Sequence, residues 1–208
     1  QVIEISKDLP PQTFQIPLTR TGNYQVGDLI VIKSDVTRDF ILEHNMNGDW
    51  NTSMPGIMFY REIVDINHDE KVLRIDAPIR YSLKTRDNTR VYSVSDPIEE
   101  IGIEELSIGN LQNKGPGFKT SDYQKNGTGG YEVHQSHVIT INGTINSWVR
   151  EVSTFRPSQN QDDIHILSNG IIIDYSRHIT IEDGHFKKSQ YNGGGGNGYM
   201  FTLRANDC

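Results

Sequence analysis

The residues best equipped for chemistry in this chain lie in its last third. Gln161-Asp162-Asp163-Ile164-His165 is the densest acidic stretch of the C-terminal half, and Asp183-Gly184-His185 follows it. Paired carboxylates suit glycoside hydrolysis, because their mutual repulsion keeps one protonated to serve the leaving oxygen while the other activates water. The same oxygens suit a second reaction. Asp162, Asp163 and Asp183 supply the hard ligands that calcium takes. Arg177 or Lys187 would then be the base that removes the proton α to a uronate carboxyl in a calcium-assisted lyase. His165 and His185 stand beside these carboxylates and complete the candidate catalytic set. A turn rich in Asn, Gln and Asp is also what a solvated surface looks like, and Arg177 and Lys187 could equally pair with neighbouring acids on the outside.

Aromatic rings offer a second kind of chemistry, since their faces stack on sugar rings. Tyr123, Tyr131 and Tyr191 lie in polar loops and are the expected substrate contacts, whereas Trp148 sits inside an apolar run and reads as core. His134, His137, His178 and His185 lack the H-E-x-x-H or Cys/His spacing of a zinc site. The run Gly193-Gly194-Gly195-Gly196 lacks the strand–G-x-G-x-x-G–helix context of a phosphate cradle and reads as a bend.

Strands must position these groups. Ser176-Arg177-His178-Ile179-Thr180-Ile181-Glu182-Asp183 nearly copies Ser136-His137-Val138-Ile139-Thr140-Ile141-Asn142-Gly143 forty positions earlier. Alternating isoleucine and threonine is the period of a half-buried strand, and repetition over tens of residues signals a solenoid whose coils bury their apolar faces on one another. Ile139 and Ile179 are therefore expected at equivalent inward positions, with Thr140 and Thr180 outward. The first half carries shorter strands at 2–5, 14–16, 24–32 and 90–94, and an antiparallel hairpin over 57–76. Thr37 to Pro55 breaks into one or two helical turns and a loop with an exposed aromatic at Trp50. Gln112 to Gln135 forms a long surface loop. Nineteen glycines and repeated Asn-Gly pairs favour β structure with frequent turns.

A net charge of −7 over 208 residues, with no basic run, opposes the phosphate backbone of nucleic acid. No apolar stretch approaches eighteen residues, so no membrane span is expected. The single cysteine, Cys208, can form no intrachain disulfide. The chain opens and stops on strands without caps, which suggests an internal piece of a longer protein.

The order Val26-Gly27-Asp28-Leu29-Ile30-Val31-Ile32, Tyr60-Arg61-Glu62-Ile63, Val72-Leu73-Arg74-Ile75-Asp76-Ala77-Pro78, Ile101-Gly102-Ile103-Glu104-Glu105-Leu106, Ser147-Trp148-Val149-Arg150-Glu151-Val152 and Ser176 to Asp183 resembles the secreted right-handed parallel β-helix proteins of the pectin-lyase-like superfamily. The resemblance implies an all-β fold: a right-handed parallel β-helix with an antiparallel β insertion in the N-terminal half. Residues 1–100 would hold early coil strands and the insertion, and 101–208 the coils, in one continuous domain. The Asp162-Asp163 stretch looks like the paired-aspartate motif of β-helix polygalacturonases, but their further aspartate and Gly-His-Gly are matched here only by Asp183-Gly184-His185 in altered order. The implied function is a secreted or cell-surface polysaccharide-active protein, a lyase or glycoside hydrolase on an acidic or neutral glycan; calcium is the cation that the carboxylates could hold for the lyase. The alternative is a non-catalytic glycan-binding or adhesin-type β-helix.

Overall fold

A computed structural model describes residues 1–206, so Cys208 lies outside the described residues. The chain is mostly β with few helices, and it divides into two compact units, Gln1–Asp96 and the remainder from Pro97.

The first unit contains β1 (Val2–Glu4), β2 (Gln15–Pro17), β3 (Leu29–Lys33), helix α1 (Arg38–Glu43), β4 (Met58–Asn67), β5 (Val72–Ile75) and β6 (Arg90–Ser93). All six strands pair antiparallel in the order β1-β6-β3-β4-β5-β2. The edge strands β1 and β2 are bridged at Ile5 and Leu18, and Ser6 N–H donates to the Pro17 carbonyl at 2.9 Å, so the sheet curls back on itself. Its core takes the apolar positions of each short strand: Ile3, Ile16, Ile30, Ile32, Ile63, Leu73 and Val91. The hairpin expected over 57–76 is β4–β5. Val2–Glu4, expected among the early coil strands, pairs antiparallel with β6 instead. Helix α1 starts where Thr37 Oγ1 accepts the Phe40 N–H at 3.1 Å, which satisfies one of the helix's free donors.

The second unit contains β7 (Ile98–Glu99), β8 (Gly102–Glu104), β9 (Ser107–Ile108), α2 (Gly129–Glu132), β10 (His137–Asn142), β11 (Thr144–Arg150), β12 (Ser153–Thr154), β13 (Asn169–Glu182) and β14 (Phe201–Asn206). Every strand pair in it is parallel. The first half of β13 lies on β10, with Ile139 beside Ile171 and Ile141 beside Ile173. Its second half lies on β11, with Ser147 beside Ile179. β14 continues the stack over Ile171 and Ile173, while β8 and β9 lie under β11 and β12.

The step between partners is 46 residues from β8 to β11, 32 from β10 and β11 to β13, and 30 from the first half of β13 to β14. The forty-residue repeat is therefore not the structural one, and Ile139 and Ile179 are not equivalent. The I-T-I pattern recurs because different faces of successive coils ask for the same alternation. Both isoleucines are nonetheless buried, at 6% and 2% exposure, and Thr140 and Thr180 point outward. The longer step accommodates the 112–135 loop.

The chain turns between faces at residues with left-handed φ, and these corners keep the same register. Glu100, Asn146 and His178 form one set, and Glu105, Glu151 and Asp183 another, all with φ between 48° and 56°. Left-handed backbone costs a non-glycine residue roughly 1–2 kcal/mol, so the corners need support from their neighbours. Asn146 Oδ1 lies 3.1 Å from His178 Nδ1, and Glu151 N–H donates to Glu182 O at 3.1 Å. Trp148 differs from its expected core position. Ser147 and Val149 take the inward positions, so the indole lies half-buried on the other face, over Gly102, and donates to Glu104.

Candidate functional site

The structure disperses the candidate catalytic residues of the second unit. Asp162 and Asp163 share an exposed turn after β12. Asp163 Oδ2 pairs with Lys188 Nζ at 3.0 Å, and its Oδ1 lies 3.5 Å from His165 Nε2. The Lys188 ammonium holds the Asp163 carboxyl below the usual carboxylate range, so this group is ionised at neutral pH and is no proton donor. Asp162 is held by Gln112: its Oδ2 accepts from Nε2 at 3.3 Å and its N–H donates to Oε1 at 3.1 Å. His165 is buried, with Nδ1 2.9 Å from the Thr154 carbonyl. A carbonyl only accepts, so Nδ1 carries a proton.

Arg177 is buried within β13, away from the exposed position a base needs. Asp183 sits at a corner in register with Glu151 and Glu105, which separates it from the Asp162–Asp163 turn. His185 is tied by its backbone, its N–H donating to Val152 O and its carbonyl accepting from Thr154 N–H, both at 2.9 Å. Lys187 is exposed, and its N–H donates to Thr154 Oγ1 at 3.1 Å. Among the described residues no three acidic, His or Cys side chains are grouped to hold a metal ion, so the expected calcium set of Asp162, Asp163 and Asp183 does not form.

The loop tyrosines separate as well. Tyr191 is only 1% exposed: its hydroxyl reaches the carbonyls of Lys119 (3.2 Å) and Thr120 (3.1 Å) and accepts the Tyr123 N–H at 3.2 Å. It anchors the loop, which corrects the expectation of a substrate contact. The tetraglycine run makes room for these rings, since a Cβ at Gly193 would lie 2.5 Å from the Tyr191 hydroxyl and one at Gly195 2.5 Å from the Tyr123 ring. Tyr123 is half-buried against His134, with centroids 5.0 Å apart. Tyr131 is the most open of the three, at 45% exposure.

A concave site of a different kind lies in the first unit. Helix α1 and the loop after it bring Phe40, His44 and Trp50 together with Tyr81. The Phe40–His44 centroids are 4.2 Å apart, His44–Trp50 5.7 Å and His44–Tyr81 6.0 Å. These rings, with Met54 and Ile57, wall a cavity of about 440 Å³. A second cavity of about 420 Å³ shares its Val36, Met54, Pro55 and Gly56 wall and is bordered by Lys33, Asp35, Thr37, Thr52, Ser53 and Asn88. Gly56 is required there, because a Cβ would lie 1.7 Å from the Ser34 carbonyl oxygen.

His44 Nδ1 lies 2.6 Å from the Phe40 carbonyl, which places the proton on Nδ1 and leaves Nε2 to accept from the Tyr81 hydroxyl. Glu43 binds Lys84 and Arg86, and Lys84 first among them holds its carboxyl below the usual range. Asp35 pairs with Arg90 at 2.9 Å. Buried Asp87 accepts from the Thr37 hydroxyl. The sequence reading missed this site. Its one signal in the sequence is the density of Phe40, His44 and Trp50 in the aperiodic Thr37–Pro55 segment.

No protein-family model matches the chain, and no curated protein does. Solved structures similar to it include three phage tailspikes. That of Pseudomonas phage phi297 is 9% identical over 89% of this chain and 31% of its own, with a TM-score of 0.49. That of Pseudomonas phage LKA1 is 10% identical over 88% and 29%, at 0.45. That of Acinetobacter baumannii bacteriophage AP22, solved in complex with A. baumannii capsular saccharide, is 9% identical over 91% and 34%, at 0.37. The chain spans about a third of the length of each. At these TM-scores the functional reading rests on the chain's own residues.

Proposed function

We propose that this chain is a glycan-binding module of the right-handed parallel β-helix type, pectin-lyase-like in kind and working outside the cell, whose curled antiparallel unit carries the ligand pocket. The observation that carries the reading is the aromatic-walled cavity adjoining a polar one. A pyranose presents C–H faces and a rim of hydroxyls, and a site that takes it needs apolar walls beside a few polar groups. The all-parallel pairing and the corners in register support the β-helix part of the reading. The carboxylates favour binding over cleavage: hydrolysis needs a protonated acid beside a base, and Asp163 is ionised while Asp183 stands apart.

The test is a panel of neutral and uronate polysaccharides, assayed both for binding and for new reducing or unsaturated ends. Binding without new ends is the expected outcome. Release of either kind of end would return the lyase or hydrolase reading, and silence across the panel in both assays would remove the glycan reading.

A further inference from the structure

The aromatic cavity has few polar atoms to offer a ligand. Its walls are rings, a methionine, a proline and aliphatic side chains; of its three side chains with polar atoms, His44 and Tyr81 are bonded to each other and Trp50 has a single indole N–H that can only donate. The remaining imidazole nitrogen is bonded to the Phe40 carbonyl. A sugar hydroxyl pushed into this space would lose water and find little in exchange, whereas a methyl group would lose nothing. Across the shared wall the conditions reverse, with the Thr52 hydroxyl and the Asn88 amide beside Asp35, next to Thr37 and Ser53, whose hydroxyls bond Asp87 and Asn51.

The charges around both cavities are largely matched. Arg90 pairs with Asp35, and Lys84 and Arg86 both bind Glu43. Lys33 borders the polar cavity with Asp35, and the buried Asp87 carboxylate lies close to the aromatic one, in the small recess beside His44 and Tyr81. The charged side chains that line the two cavities, Lys33 and Asp35, are one of each sign, which gives a uronate little advantage over a neutral sugar.

From this we infer that the pocket selects an uncharged pyranose bearing a methyl-terminated substituent, an acetamido or deoxy methyl group, whose methyl enters the aromatic cavity while the ring hydroxyls face Thr52 and Asn88. The inference rests on the glycan reading and narrows it to a ligand class. Burying one methyl-sized group gives about a fourfold gain in affinity.

The chain's two tryptophans make the test direct, because Trp50 lines the cavity and Trp148 belongs to the other unit. Free N-acetylglucosamine against glucose, 6-deoxygalactose against galactose, and glucuronate are titrated into the full chain while both indole N–H resonances are followed. The expected result is that the Trp50 resonance shifts and Trp148 does not, each substituted sugar binding about fourfold or more tighter than its plain partner and glucuronate no tighter than glucose. Trp50→Leu, which keeps an apolar wall and is titrated by calorimetry because it lacks the reporting indole, should weaken both members of a pair yet preserve their ratio. Met54→Gln, which brings a polar group to the cavity, should collapse the ratio, with a Trp50 indole resonance still dispersed in the free variant reporting an intact first unit. Equal affinities within each pair in the wild type, or tighter binding of glucuronate, would overturn the inference and leave glycan binding standing. If longer oligosaccharides also left Trp50 unmoved, the glycan reading itself would fall.

Discussion

Ile171 lies in the middle of a three-layer stack, beside Ile139 in β10 and Phe201 in β14, and is fully buried. Truncation to alanine removes three carbons from a site with neighbours above and below. We expect a loss of about 3–5 kcal/mol, the upper part of the range for buried aliphatics, and about 2–4 kcal/mol for Ile139→Ala by the same reasoning. In the double variant the second truncation opens into a cavity already made, so the combined loss should fall short of the sum by roughly 0.5–3 kcal/mol. Ile179 stacks on Ser147 instead, so the Ile139/Ile179 pair should couple more weakly. Urea unfolding followed by Trp148, which lies in the same unit, gives each term if the denaturant slope is unchanged. Stronger coupling between Ile139 and Ile179 than between Ile139 and Ile171 would restore the forty-residue register and refute the stacking described here.

Tyr191→Phe removes a hydroxyl that ties three backbone groups, so it should cost about 1–3 kcal/mol and reduce hydrogen-exchange protection around 119–125 without changing glycan affinity. Asp122 accepts from Lys125 Nζ and from the Lys119 N–H, and these bonds, Lys125's first, hold its carboxyl below the ordinary aspartate value of 3.8. A depressed folded value means that the group's stabilisation is complete above 3.8 and is lost as pH falls below it. Protection of the 118–130 loop should therefore hold at pH 5 and fail in stronger acid, and Lys125→Met should move that threshold upward. Gly56→Ala must push the loop off Ser34, at roughly 1–3 kcal/mol, and should widen or collapse the wall between the two cavities. A crystal structure of the variant with that wall unmoved would contradict the close approach.

Much of the strand content was legible because the period of two needs only neighbouring residues. The 57–76 hairpin and the inward isoleucines at 139 and 179 followed from it. The step between layers was not legible, since parallel partners are chosen by stacking across 30, 32 or 46 residues and nothing local marks them. Trp148 was misplaced for a related reason: an apolar run does not say which face its indole takes. Asp162, Asp163 and Asp183 form one set only if the coils bring them onto one face, whereas the corner at Asp183 aligns with Glu151. Tyr191 looked exposed because its loop is polar, yet that loop closes around its hydroxyl. The aromatic pocket draws on α1, on an aperiodic loop and on Tyr81, some thirty residues apart in sequence, so no periodicity could reveal it.

The most direct measurement is the affinity of one bound polysaccharide for the wild-type chain, Trp50→Ala and the Asp162→Asn/Asp163→Asn double variant, side by side. Truncation of a central aromatic contact commonly costs about 2 kcal/mol or more, roughly a thirtyfold loss. Trp50→Ala should lose at least that, while the double aspartate variant binds as the wild type does. Binding that survives Trp50→Ala but disappears with Asp162 and Asp163 would place the glycan on the other unit and contradict the account.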